Sequence, residues 1–102
     1  MAVYIDDECI EWRGRIWCHM VADTPDELHR FAAKVGLKRA WFQSQSIYPH
    51  YDVTLSVRAK ALQMGAILAD REVLIACARE LKRQITAQQA EPAQQLSLLL
   101  TV

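Results

Sequence analysis

Between residues 17 and 36 the apolar positions change their period from two to 3.6, and the rest of the chain is arranged around that change. Cys18, Met20 and Ala22 alternate with Trp17, His19, Val21 and Asp23, so apolar side chains can cover both faces of a strand lying between two layers. Thr24 then stands as an N-cap, Pro25 as the first helical residue and Glu27 as the returning partner of a Thr-x-x-Glu capping box. Leu28, Phe31, Ala32 and Val35 follow at helical spacing, and Gly36 occupies the place of a left-handed C-cap.

On either side the pattern is shorter. Residues 2–5 form an apolar run that stops at Asp6 and Asp7, which predicts a first strand. Residues 7–15 carry charge and Gly14 without a period, which predicts a loop in which Trp12 folds back or packs. Residues 40–43 predict a third strand. His50, Tyr51 and Asp52 lead into a second helix, capped by Asp52 or Thr54, with Leu55, Ala59, Leu62 and Ala66 as its inner stripe and Gly65 at its end. Residues 66–69 predict a fourth strand. Asp70 caps a third helix, with Val73, Ala76, Cys77 and Leu81 on one face.

This order predicts a small single α/β domain over residues 1–85, with a mainly parallel sheet of about four short strands and three helices. The first two strands, joined by a loop, could instead be antiparallel neighbours. From residue 86 the composition turns polar and rich in alanine and glutamine, with Pro92 inside it. Residues 86–94 therefore predict a linker, and residues 95–102 a flexible C-terminal tail peptide.

Composition narrows the function classes. At 102 residues the chain can bury a core without disulfides or metal. Cys9, Cys18 and Cys77 are odd in number and lack Cys-x-x-Cys spacing, which predicts reduced thiols in a cytoplasmic protein. The start, MAVYIDD, has no basic segment and is not read as a signal peptide, and no apolar run reaches the length of a membrane span. Lysine and arginine number 12, aspartate and glutamate also 12, so no global field draws the chain onto nucleic acid; any nucleotide or nucleic-acid contact is local or indirect. The three tryptophans are read as packing residues, since no basic stripe interleaves with them.

In a parallel sheet the carboxyl ends of the strands share one edge. Asp6, Asp7, Asp23, Gln43, His50, Asp52 and Asp70 fall there, with His29 one turn into its helix. Asp6, Asp7 and Asp23 could hold a divalent metal, Mg or Mn, that activates water for attack on a phosphate. His50 with Asp52 is the leading catalytic pair, joined by His19 and His29, because a histidine near a carboxylate suits acid–base work. Arg58 could point at an anion. Each residue also has a structural role open to it: Asp23, Asp52 and Asp70 as caps, His19 as a hydrogen-bonded core residue, His29 as a half-exposed helix residue.

The stretches MAVYIDD, Trp17-x-His19 with Ala22-Asp23, ELHRFA, WFQ, HYD, Arg58 and Gly65-Ala66 are together similar to the small bacterial and phage family known as domain of unknown function 4031. The resemblance covers roughly residues 1–70. It implies that Asp6, Asp7, His19, Asp23, His29, Gln43, His50 and Asp52 are the family's characteristic polar positions, and that Cys18 stands where serine is expected to be common. It implies no activity. A second resemblance lies in the tail, where Gln95, Leu96, Leu98 and Leu100 match the Gln-Leu-x-Leu-x-Leu hexad that binds the bacterial sliding clamp. The function these features imply is an accessory of DNA metabolism docked to the clamp, with a metal-dependent phosphodiesterase or nucleotide-hydrolase site. The alternative is a non-enzymatic adaptor or ligand-binding module, whose polar edge is structural and whose tail packs on itself or in a dimer.

Overall fold

A computed structural model describes the backbone of residues 2–101 and the side chains of residues 2–89. The elements are β1 (Val3–Ile5), β2 (Ile10–Trp12), β3 (Arg15–Ala22), α1 (Pro25–Lys34), β4 (Tyr51–Thr54), α2 (Leu55–Gln63), β5 (Ile67–Leu68) and α3 (Arg71–Thr101). The α/β class matches the expectation, but the sheet is mixed. Only β1 and β5 run parallel, whereas β3 pairs antiparallel with β1, β2 and β4.

The polarity follows from the connections. Residues 6–14 hold no helix to carry the chain across the sheet, so β1 and β2 return directly against β3. Arg13 (φ 51°) and Gly14 (φ 75°) form the two-residue turn into β3, left-handed at both positions as a type I′ hairpin demands. Here a loop was expected. Between β3 and β4, α1 runs back along the sheet and residues 37–50 make a further traverse, so β4 enters antiparallel.

Two further expectations are corrected. Residues 40–43 form no strand: Arg39–Trp41 is a 3-10 turn, because the edge of β3 they would need is occupied by Tyr51–Thr54. Tyr51–Thr54 is itself a strand, with Tyr51 and Val53 buried and Asp52 and Thr54 on the other face. Thr54 then caps α2, its Oγ1 accepting from Val57 N.

α1 has the predicted boundaries in its sequence. Thr24 Oγ1 accepts from Glu27 N at 3.2 Å and Gly36 is left-handed at φ 92°. Glu27 Oε2 is buried without a partner, so only one arm of the capping box forms. Leu28, Ala32 and Val35 are buried, with Phe31 half-buried against them. On α2 the inward residues are Ala61, Val57 and Leu62, while Leu55 is exposed. On α3, which Asp70 caps through Val73 N (2.9 Å), Leu74, Ala78 and Leu81 are buried and Cys77 packs against the core; of the predicted face Leu81 and Cys77 point inward, while Val73 and Ala76 are exposed.

The core joins these residues to Ile5, Cys18, Met20, Val21, Tyr51 and Val53. Cys9, Cys18 and Cys77 are free thiols. No helix among the described residues is long and apolar enough to cross a membrane. The expected linker, residues 86–94, is helical backbone within α3, which runs on through Thr101, and residues 86–89 are exposed; the side chains from residue 90 onward, Gln95, Leu96, Leu98 and Leu100 among them, lie outside the described residues.

Candidate functional site

The polar residues meet in the middle of the sheet rather than at the ends of parallel strands. The β3–β4 register sets His19 opposite Asp52 and Met20 opposite Tyr51. Alternation therefore puts His19 and Asp52 on one face, with His50, two residues before Asp52, joining them. α3 lies over this face: its Leu74, Ile75 and Ala78 line a cavity of about 190 Å³ with Asp6, His19 and His50.

Asp6 is the buried charge beneath the cluster, 2% exposed. It stands where β1 leaves the ladder, and its carboxylate takes the place of a main-chain carbonyl. Oδ1 accepts from His19 N at 2.8 Å and Oδ2 from His19 Nδ1 at 2.7 Å. The displaced Asp6 carbonyl oxygen accepts instead from Arg58 Nε at 2.8 Å. Burial by itself would raise the Asp6 pKa, but its bonds to the His19 ring and main-chain N–H outweigh it and hold the carboxyl below the usual range. The same ring bond, opposed by burial, lifts the His19 pKa above its ordinary value.

These bonds fix the tautomers. A carboxylate and a carbonyl only accept, so His19 donates to Asp6 through Nδ1–H, and His50 donates to Tyr48 O through Nδ1–H at 2.5 Å. In each neutral ring Nε2 then carries a lone pair. His50 Nε2 lies 3.1 Å from Asp52 Oδ1 and His19 Nε2 lies 4.0 Å from it. The rings meet edge to face with centroids 5.0 Å apart. One ligand atom from each of His19, His50 and Asp52 falls within 4.8 Å of the others. Three acceptors this close together are favourable only with a cation, a proton or a metal, between them.

The other singled-out residues stand elsewhere. His29, on α1, bonds Tyr51 Oη through Nδ1 at 2.9 Å and packs on Phe42, on the opposite face of the sheet. Burial, helped by Arg39, lowers its pKa. Asp23 sits beyond the far end of β3, where Oδ2 accepts from Ala2 N at 2.8 Å, about 13 Å along the strand from His19. Asp7 is exposed. Of the three aspartates read as metal ligands, only Asp6 adjoins the cluster, and both its oxygens are already committed to His19.

A model of the family described as protein of unknown function DUF4031 matches residues 3–81. The chain belongs to the DUF4031 family. No curated protein matches the chain. No solved structure matches it either. The DUF4031 match spans every element that builds the cluster, from β1 through the first turns of α3.

Beside the cluster, on the same face, a second concave feature opens with Asp52 in its wall. Trp12, Trp17 and Trp41 line one cleft of about 650 Å³, whose walls include Asp52, Gln43 and Arg15. Trp12 is 57% exposed and Trp41 50%, so neither is chiefly a packing residue. Arg13 covers the Trp12 ring at 4.6 Å and Lys38 stands 5.6 Å from the Trp41 ring. The available signal was the nearness in sequence of a cation to two of the three tryptophans, Arg13 to Trp12 and Lys38 to Trp41.

Proposed function

We propose that this DUF4031 protein is a divalent-metal-dependent hydrolase of phosphate esters, its metal held by Nε2 of His19, Nε2 of His50 and a carboxylate oxygen of Asp52. The observation that carries the reading is the convergence of these three acceptors within 4.8 Å while both Nδ1–H groups are engaged elsewhere. Ligand atoms around a tetrahedral ion with bonds near 2.0 Å are roughly 3.3 Å apart, within reach of small rotamer adjustments here. Two imidazoles and a carboxylate leave positions free for water and substrate, and imidazole nitrogen favours manganese or zinc over magnesium. Asp6 orients His19 from behind in the manner of carboxylates that support metal-bound histidines, and Arg58 holds Asp6.

When bound, such an ion would polarise water and the phosphoryl oxygens. On this reading His50 and Asp52 hold the ion rather than shuttle protons. Arg15, lining the depression beside Asp52, favours an anionic substrate, whereas Arg71 in the other depression faces Glu8 at 3.7 Å. The test is calorimetric titration of the EDTA-stripped protein with Mn²⁺ and Zn²⁺, together with metal-dependent hydrolysis of bis(p-nitrophenyl) phosphate. Binding and turnover should be lost in His50→Ala and Asp52→Asn and kept in His29→Ala. No metal binding by the folded wild type would leave a proton-held network and favour the non-enzymatic adaptor.

The second part of the proposal rests on the sequence of the tail. Gln95, Leu96, Leu98 and Leu100 would dock the protein to the bacterial sliding clamp, Gln95 at the mouth of its groove and the leucines in its apolar pocket. The clamp would then supply nearness to DNA that the neutral net charge does not. Binding to purified clamp should be lost on truncation after Gln94 and in the double variant Gln95→Ala/Leu98→Ala. Binding unchanged by truncation would remove the tail from the proposal.

A further inference from the structure

The cleft lined by Trp12, Trp17 and Trp41 is on the same face as the His19, His50 and Asp52 cluster. Registers place Trp12 opposite Arg15, Trp17 opposite Thr54 and His19 opposite Asp52. Arg15, Trp17 and His19 thus point to one side of β3, and the cleft opens beside the cluster, with Asp52 in its wall. Trp17 and His19 are two residues apart, about 7 Å along the strand. That spacing is comparable to the span between a nucleobase and the phosphate of its own nucleotide.

We infer that this cleft is a nucleobase-binding subsite, in which a base stacks on Trp12 and Trp41 while its phosphate reaches the cluster past Asp52. The inference deepens the hydrolase reading and rests on it for the position of the phosphate. Three observations converge on the base. Two indole rings in the lining of the cleft stand half exposed, one from β2 and one from the turn after α1, where a packing role would bury them. Arg15 lines the cleft and supplies positive charge on the Trp17 side, while Arg13 and Lys38, outside its lining, stand over the Trp12 and Trp41 rings. Trp17 bonds Trp12 O through Nε1–H at 3.2 Å, which anchors the floor of the cleft and leaves ring faces as its recognition surface. Stacking on indole accepts any base, so the subsite reads nucleotide against sugar phosphate rather than one base against another.

All three tryptophans of the chain line this cleft, so intrinsic fluorescence reports it alone. The full-length protein in EDTA is titrated with deoxyadenosine monophosphate, with deoxyribose 5-phosphate and with a ten-nucleotide oligodeoxythymidylate. Saturable quenching by the nucleotide but not by the sugar phosphate is expected, weakened about tenfold or more in Trp41→Leu and in Trp12→Leu. Ile47→Ala, exposed elsewhere, should bind as wild type, and circular dichroism checks that each variant is folded. Tighter binding of the oligonucleotide assigns the base to a single strand; equal binding assigns it to a free nucleotide, and either supports the subsite. Equal responses to nucleotide and sugar phosphate, or none to any probe, overturn it. So does a dimer by sedimentation that both leucine variants dissolve, since the cleft would then be an interface between copies. Calorimetry with metal alone keeps the two readings apart: quenching without metal binding retains the subsite and removes hydrolysis, and metal binding without quenching does the reverse.

Discussion

Asp6 and His19 exchange three hydrogen bonds: Asp6 N–H to His19 O at 3.1 Å, His19 N–H to Asp6 Oδ1 at 2.8 Å and His19 Nδ1–H to Asp6 Oδ2 at 2.7 Å. A ladder position and a ring tautomer are therefore set by one carboxylate. In Asp6→Asn, one amide oxygen can accept from either the main chain or the ring, and the amide NH₂ faces the other. The ring is then released to carry its proton on Nε2, which removes the lone pair aimed at Asp52. Metal affinity should fall about 10- to 100-fold, with Asp7→Asn unchanged because Asp7 is exposed. Calorimetry reads both. Undiminished affinity in Asp6→Asn would mean that His19 does not need its partner.

The same pair gives the metal-free protein a definite pH signature. Asp6 is lowered, so its contribution is present above the unfolded carboxyl value of about 3.9 and is lost as pH falls through the folded one. His19 is raised, so its contribution is full below about 6.5 and is lost as pH rises through its folded value. His29, lowered chiefly by burial, works with the opposite sign to His19, its contribution fading as pH drops below about 6.5. Urea midpoints in EDTA should therefore be compared as wild type minus His19→Gln, in which the His29 contribution cancels. The difference should be largest between about pH 4 and 6.5 and shrink on both sides. A flat difference would dismiss the ion pair.

How much of this was legible follows from which residues act locally. α1 was readable because Thr24, Pro25 and Gly36 terminate it without reference to the rest of the chain. His19, His50, Asp52 and Asp6 could be singled out by type, yet their meeting place could not. It depends on β4 running against β3, which is decided by the path of residues 37–50 and leaves no periodic mark. Tyr51–Thr54 alternates over only four residues and passes straight into α2, too short a run for period alone to separate strand from loop. The tryptophan cleft joins β2, β3 and the turn after α1, so no window of sequence contains it.

On helix α3, Leu81 and Cys77 of the predicted face meet the core while Val73 and Ala76 do not, and core substitutions can read that difference. Leu81 is fully buried, so Leu81→Ala should destabilise by about 2–5 kcal/mol in a urea melt. Val73 is 46% exposed, and Val73→Ala should stay within about 0.5 kcal/mol. The reverse ranking would mean that Val73 faces inward. Phe31→Ala should lie below the roughly 3–5 kcal/mol of a fully buried ring, because Phe31 is only half-buried.

The hairpin turn sets two energies of similar size against each other at a single residue. Arg13 is left-handed at φ 51°, where a residue other than glycine, asparagine or aspartate is disfavoured by about 1 kcal/mol. Asn-Gly is the preferred pair for this turn, so Arg13→Asn should recover most of that amount. The substitution also removes the guanidinium from the Trp12 ring, a contact of about 0.5–1 kcal/mol at an exposed site. The two effects nearly cancel, and Arg13→Asn alone should move the urea midpoint little. In a Trp12→Leu background the cation–π contact is already gone, and the same substitution should stabilise by about 0.5–1 kcal/mol. A double-mutant cycle of Arg13→Asn and Trp12→Leu measures the coupling directly. Zero coupling would mean that the arginine does not rest on the ring in solution, and a destabilising Arg13→Asn in both backgrounds would mean that the turn is not of type I′.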